Sequence, residues 1–264
     1  MARSKGFGAV AALVLASTLV AAPAAAAPMA GTASYVITLG GINIATVGVN
    51  LNDDGKRYDM EVSANVSGLG QMVASGTAKV DSAGLSTSPV LTSQKFDLLT
   101  HANGEDFSIK VGFAGKNVSS FVVNPPIVDN VDRVPIERSH LSNVNDFLAS
   151  FVIKGGSLDK SLCNRKMHVF TGVERFDLAM NYNSDDTATS PRTGYQGPVV
   201  LCSVRYMPIS GHFTTSEITN YLAKSDRILV WYAPYGDTGY FIPYRALLST
   251  NMGDLSMVLT AMQP

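Results

Sequence analysis

The stretch "RYDMEVSANV", residues 57–66, decides the architecture. Tyr58, Met60, Val62, Ala64 and Val66 alternate with Arg57, Asp59, Glu61, Ser63 and Asn65, so an extended chain shows one apolar face and one wet face. The same period returns in "EDFSIKVGF" (105–113), where Phe107, Ile109, Val111 and Phe113 share a side, and in "DLSMVLTAM" (254–262), where Leu255, Met257, Leu259 and Ala261 do. Glycine-bearing turn signals punctuate these runs: Gly40-Gly41, Asp54-Gly55, Ala83-Gly84, Ala114-Gly115, Thr171-Gly172, Thr238-Gly239 and Met252-Gly253. Strands at short intervals joined by such turns predict an all-β, antiparallel meander.

Two segments break the period. "SNVNDFLASFVI", from Ser142, offers a helix N-cap followed by Val144, Phe147, Leu148 and Phe151 at helical spacing, which predicts a helix over 142–152 that plugs or flanks the sheet. "TSEITNYLAKS", 215–225, predicts a second short helix with Ile218, Tyr221 and Leu222 on one side. The polar stretch "NSDDTATSPRTGYQGP", 183–198, reads as a loop between strands.

The N-terminus sets the expected compartment. Arg3 and Lys5 precede an apolar run from Phe7 to Ala22, with small residues at Ala25 and Ala27. That order is the chemistry of a secretory signal peptide over 1–27, and the run is short and Ala-rich for a membrane anchor. Cleavage leaves a single β domain over 28–264, beginning near Pro28 and residing in the periplasm. Its roughly 235 residues suffice for one sizeable core. With 20 Lys and Arg against 21 Asp and Glu, and no basic stripe, the chain is not built to hold nucleic acid.

Cys163 and Cys202 are the only cysteines. An even count in an exported chain favours a disulfide over two free thiols or a metal site. The bridge would close a loop of roughly 40 residues, worth roughly 4 kcal/mol in the chain-entropy model. A metal site would need His168 to converge with Cys163, and an offset of five separates them on a strand or a helix.

Catalytic signatures are weak. Ser210 precedes His212 by two positions, yet no orienting acid is legible behind that pair. Gly68 and Gly70 begin a dinucleotide-like pattern that Val73 ends, and no nucleophile elbow, zinc-protease motif or phosphate loop occurs. His101, His140 and His168 are scattered, and the pairs Asp53-Asp54 and Asp185-Asp186 sit in turn-like contexts. No cofactor is implied. The aromatic run "RILVWYAPYGDTGYFIPYRALL" carries Trp231, Phe241 and Tyr244 about a turn at 236–239. It reads either as cross-strand packing or as a groove for an apolar ligand or partner.

Taken together, "Y-x-I-x-L-G-G-I-x-I-A" at Tyr35 to Ala45, the spaced Cys, Phe, Gly, Arg and Asp from Cys163 to Asp177, "L-C-x-V-x-Y-x-P-I-x-G" at Leu201 to Gly211, and "V-W" followed by "I-P-x-R" at Val230 to Arg245 resemble an exported proteobacterial family called domain of unknown function 3108. The resemblance spans nearly the whole mature chain. It implies a long antiparallel sheet curled into a half-barrel or spiral, an envelope setting and no catalytic residue. The expected function is therefore non-enzymatic: binding of a lipid or other apolar ligand in the curled sheet, with Trp231, Phe241 and Tyr244 at the site. The alternative is an envelope-integrity or scaffold protein acting on envelope proteins or the cell wall, and a hydrolase ranks third.

Overall fold

Alternation at 57–66 becomes a strand with Tyr58 and Met60 buried and Arg57 and Asp59 exposed. The computed structural model describes residues 28–72, 75–87, 89–128, 131–250 and 252–264; the signal peptide expected over 1–27 lies outside the described residues. Seven strands run in order as β1 (Met29–Leu39), β2 (Ile42–Asp53), β3 (Arg57–Val66), β4 (Gly76–Leu85), β5 (Thr92–Ala102), β6 (Glu105–Ala114) and β7 (Asn117–Asn124). After a connector come β8 (Ile153–Lys154), β9 (Arg165–Phe170), β10 (Arg175–Ala188), β11 (Gly197–Ser210), β12 (Ile228–Pro234), β13 (Tyr240–Thr250) and β14 (Gly253–Gln263). Among the described residues these make one 14-stranded antiparallel sheet in which each half is a meander, and the pairing of β1 with β14 joins the halves. The short β8 pairs off this path, against the start of β13. The all-β meander expected from the period, and its curl, which the resemblance implies, are the architecture found.

Turn chemistry accounts for most of the connections. Gly40 and Gly41 both take positive φ, 56° and 83°, as the tight β1–β2 hairpin demands. Asn103 and Gly104 do the same between β5 and β6, at 53° and 87°. Ala83-Gly84 is not a turn: it lies inside β4, where the register shifts at a bulge and Gly84 packs on the Thr92 carbonyl with no room for a Cβ. The loop expected over 183–198 is shorter, because β10 runs to Ala188 and β11 starts at Gly197.

Neighbouring residues in the second half bury on opposite faces, which makes that part of the sheet a middle layer. Val199, Ala233, Tyr240, Ile242, Tyr244 and Leu259 face a core shared with Tyr35, Leu51, Tyr58 and Met60 of the first half. Val200, Cys202, Tyr232 and Phe241 face a second core. The chain between β8 and β9 covers that second face, with Leu162 and Cys163 in a 3-10 turn, and Leu222 of α2 (Glu217–Lys224) packs beside them. A disulfide joins Cys163 to Cys202 with Cα atoms 5.3 Å apart, pinning the covering chain to β11.

The first helix is one turn, α1 (Phe147–Phe151), not the longer helix expected over 142–152. Asn143 takes a left-handed φ of 53°, and Asn145 forms a parallel bridge to Val169, so the chain enters extended and Asp146, not Ser142, is the N-cap. α1 carries Ala149 and Val152 into the first core, filling the concave side of the curl. The second helix forms as expected, two residues shorter at its start, with Ser216 as N-cap.

Strands β7 and β9 end the sheet, and the connector laces them together. Val144 N–H donates to the Lys116 carbonyl (2.8 Å), Asn145 N–H to that of His168 (2.8 Å), and Phe170 N–H to that of Asn145 (3.0 Å). Phe121 and Phe170 meet edge to face at 5.3 Å across the seam.

Candidate functional site

The connector that plugs the curl is held by two buried polar networks. Asp146 is fully buried; its Oδ1 accepts from the Ala149 N–H (2.8 Å), and its Oδ2 accepts from Ser82 Oγ (2.6 Å) and Ser93 Oγ. Tyr58 Oη lies 3.0 Å from Ser82 Oγ, and Asn145 ties in through Leu91 O (2.7 Å) and Ser93 N–H (2.8 Å). Burial pushes the Asp146 carboxyl above its ordinary pKa, and the hydroxyl and amide donors oppose that rise.

In the second network Asp53, at 3% exposure, receives Lys154 Nζ (2.9 Å), the Gly55 N–H (2.6 Å), Ser86 Oγ and the Tyr240 hydroxyl. Lys154 also donates to Ser86 O (2.8 Å). A buried pair is weak evidence for stability, but removing one partner strands the other charge. Lys154→Met is therefore expected to cost about 3 kcal/mol, and Asp53→Asn added to it should recover about half of that loss in a denaturation cycle. Additive losses in the double variant would show that the two groups do not act as a pair. Asp54, by contrast, is an exposed turn residue, accepting from Lys56 and Arg57 N–H groups.

The residues weighed for catalysis do not assemble. Among the described residues Ser210 Oγ and His212 Nδ1 are each buried without a hydrogen-bond partner, so they are not bonded to one another. His101 pairs with Asp106 and His168 with Asp177, both at 2.7 Å, while His140 Nδ1 accepts from the Glu137 N–H. Among the described residues no three His, Cys, Asp or Glu side chains are grouped to hold a metal.

The aromatic candidates divide between faces. Tyr244 faces the first core, donates to Thr193 Oγ1 (3.2 Å) and meets the Tyr195 ring at 6.2 Å, under the 189–196 turn. Trp231 packs at the margin of the same core; its Nε1 donates to Asp186 Oδ2 (2.9 Å) and the Arg245 guanidinium stacks on its ring at 5.2 Å. Phe241 points the other way, into the second core. Asp186 also lines an open cleft of about 790 Å³ with Tyr182, Asp159, Ser161, Leu158 and Val199.

Asp146 and Lys154 are absent from the residues the sequence singles out, and Asp53 is read there only as a turn residue. The N-cap position before "FLAS" was a usable signal for Asp146. Nothing local distinguishes Asp53 from its exposed neighbour.

This geometry defines a β-barrel-like protein: a curled antiparallel sheet plugged by its own connector. No family model matches the chain, and no curated protein matches it. Among solved structures it is similar to a beta-barrel-like protein of domain of unknown function DUF1849 from Brucella abortus, at 11% identity and a TM-score of 0.47, over 90% of this chain and 98% of that one.

Proposed function

We propose that this is a non-enzymatic protein of the cell envelope, released into the periplasm by cleavage after residue 27, that works as a scaffold through its outer surface. One observation carries the choice between scaffold and carrier: the concave side of the curl is occupied by α1 and by Tyr35, Tyr58, Tyr235, Tyr240 and Tyr244 of the chain itself. A carrier of acyl chains needs that volume for its ligand. The exported setting is supported by the charged, apolar, small-residue order of 1–27 and by the Cys163–Cys202 disulfide. Among the described residues no helix is long and apolar enough to cross a membrane.

Two measurements test this reading. Fatty acids and phospholipids should leave the emission of Trp231, the chain's only tryptophan, unchanged, whatever an anionic group bound elsewhere does to the melting temperature. A saturable shift in both would restore the carrier reading. Cells lacking the protein should become sensitive to detergent and regain resistance when the chain is supplied in trans. Undiminished resistance in the deletion would remove the scaffold reading.

A further inference from the structure

Beside the outer edge of β9, where Asn145 bridges Val169, lies a cavity of about 240 Å³ whose charged lining residues are all basic. Lys116, Arg165, Lys166 and His168 surround it, with the amides of Asn143 and Asn145, and no carboxylate is among its lining residues. His168 is already tied to Asp177, which also takes Arg175, so Arg165 and the two exposed lysines provide the unneutralised charge. The Nη1 of Arg165 is buried and has no hydrogen-bond partner among the described residues. The hydroxyl of Tyr232, fully buried and within electrostatic range of Arg165, also lacks one. A guanidinium withdrawn from water without an acceptor is costly, and burial here pulls the Arg165 pKa below its ordinary value. Arg165 as a whole is only half-buried and lines the cavity, so the rest of its side chain can meet an acceptor there.

We propose that the Arg165 cavity binds an anionic oxygen group, a phosphate or a carboxylate, with Arg165 as the half-buried ligand and Lys116 and Lys166 as the attracting rim. Arg165 offers the planar donor set that suits either oxyanion, and the volume admits such a group with a few waters. The apolar wall of Val90, Leu91, Val144 and Met167 raises the strength of the contact by excluding solvent. This site stands apart from the scaffold reading and needs no space inside the curl.

The test uses the folded chain with inorganic phosphate and acetate as probes. At matched ionic strength against chloride, one or both should raise the melting temperature saturably, and Arg165→Met should abolish the rise. Without added anion Arg165→Met should melt no lower than the parent, because a stranded cation has been removed. If that variant fails to fold, Lys116→Gln with Lys166→Gln, both at exposed positions, should weaken the binding midpoint by about fivefold. Vesicles separate the two sources of phosphate. Co-sedimentation with phosphatidylglycerol but not phosphatidylcholine, lost in Arg165→Met, identifies a lipid headgroup; a phosphate shift without sedimentation identifies the free ion. A parent response no larger than that to chloride, or a shift unchanged in the Arg165 or double-lysine variant, overturns the site.

Discussion

Asp146→Ala should destabilise the protein by about 3 kcal/mol, measured by chemical denaturation. The substitution removes the N-cap of α1, worth about 1 kcal/mol. It also takes the carboxylate acceptor from two buried hydroxyls, Ser82 and Ser93. The hydroxyls keep other neighbours, Tyr58 for Ser82 and, for Ser93, Asn145, Tyr58 and the N–H of residue 146, so the loss is less than that of two orphaned donors. Asp146→Asn should cost about 1 kcal/mol, because the amide oxygen still caps Ala149 and the hydroxyls can turn to accept from its NH2. A loss below about 0.5 kcal/mol in the alanine variant would show that the plug is not held by this residue.

The same carboxyl predicts a pH dependence. Its folded pKa is raised, so the folded protein retains a proton that the unfolded chain releases. That contribution is complete below the ordinary carboxylate pKa of about 4 and declines as pH rises from there through the raised value. Parent stability minus Asp146→Asn stability should therefore fall with rising pH in that window. Other carboxylates cancel in the difference. A flat or rising difference would contradict the burial of an ionisable group here.

Loss of the Cys163–Cys202 bridge should have a comparable effect. The cysteines are 39 positions apart and both fully buried in the second core. Replacing both with alanine is expected to lower stability by about 2–4 kcal/mol, from released chain entropy in the unfolded state and a small packing defect. The double serine form should be worse, because two hydroxyls then enter an apolar core without assured partners. In the native protein both positions should resist alkylation until reductant is added. Labelling of two free thiols in protein taken from its own compartment would reverse the assignment.

Much of this architecture is legible from the chain because a strand's face is a local property. Tyr58 and Met60 announce their burial through their alternation with Arg57 and Asp59. The same locality explains the errors. Gly84 satisfies the demand of a bulge with the residue a turn would use, so Ala83-Gly84 reads as a turn although it lies inside β4, while the hairpin turn is Asn103-Gly104, whose asparagine also accepts the positive φ. Ser142 and Asp146 are both competent caps, and the choice falls to Asp146 because Asn145 is spent on a bridge to β9. Tyr240 and Phe241 carry apolar surface to both faces, a sign that the sheet is covered twice, but what covers the second face lies far off in sequence, beyond Cys163. Asp53 is the clearest limit: its partner Lys154 is 101 positions away, and its turn context gives the same signal as that of solvated Asp54.

Native mass spectrometry of the protein purified from its own cells tests the self-filled curl most directly. The mass should be that of a chain beginning near Pro28 with one disulfide, and no lipid should remain in stoichiometric amount after gentle ionisation. A one-to-one acyl-chain adduct, retained until the protein unfolds, would place a ligand where α1 and the tyrosines are described and would contradict the account.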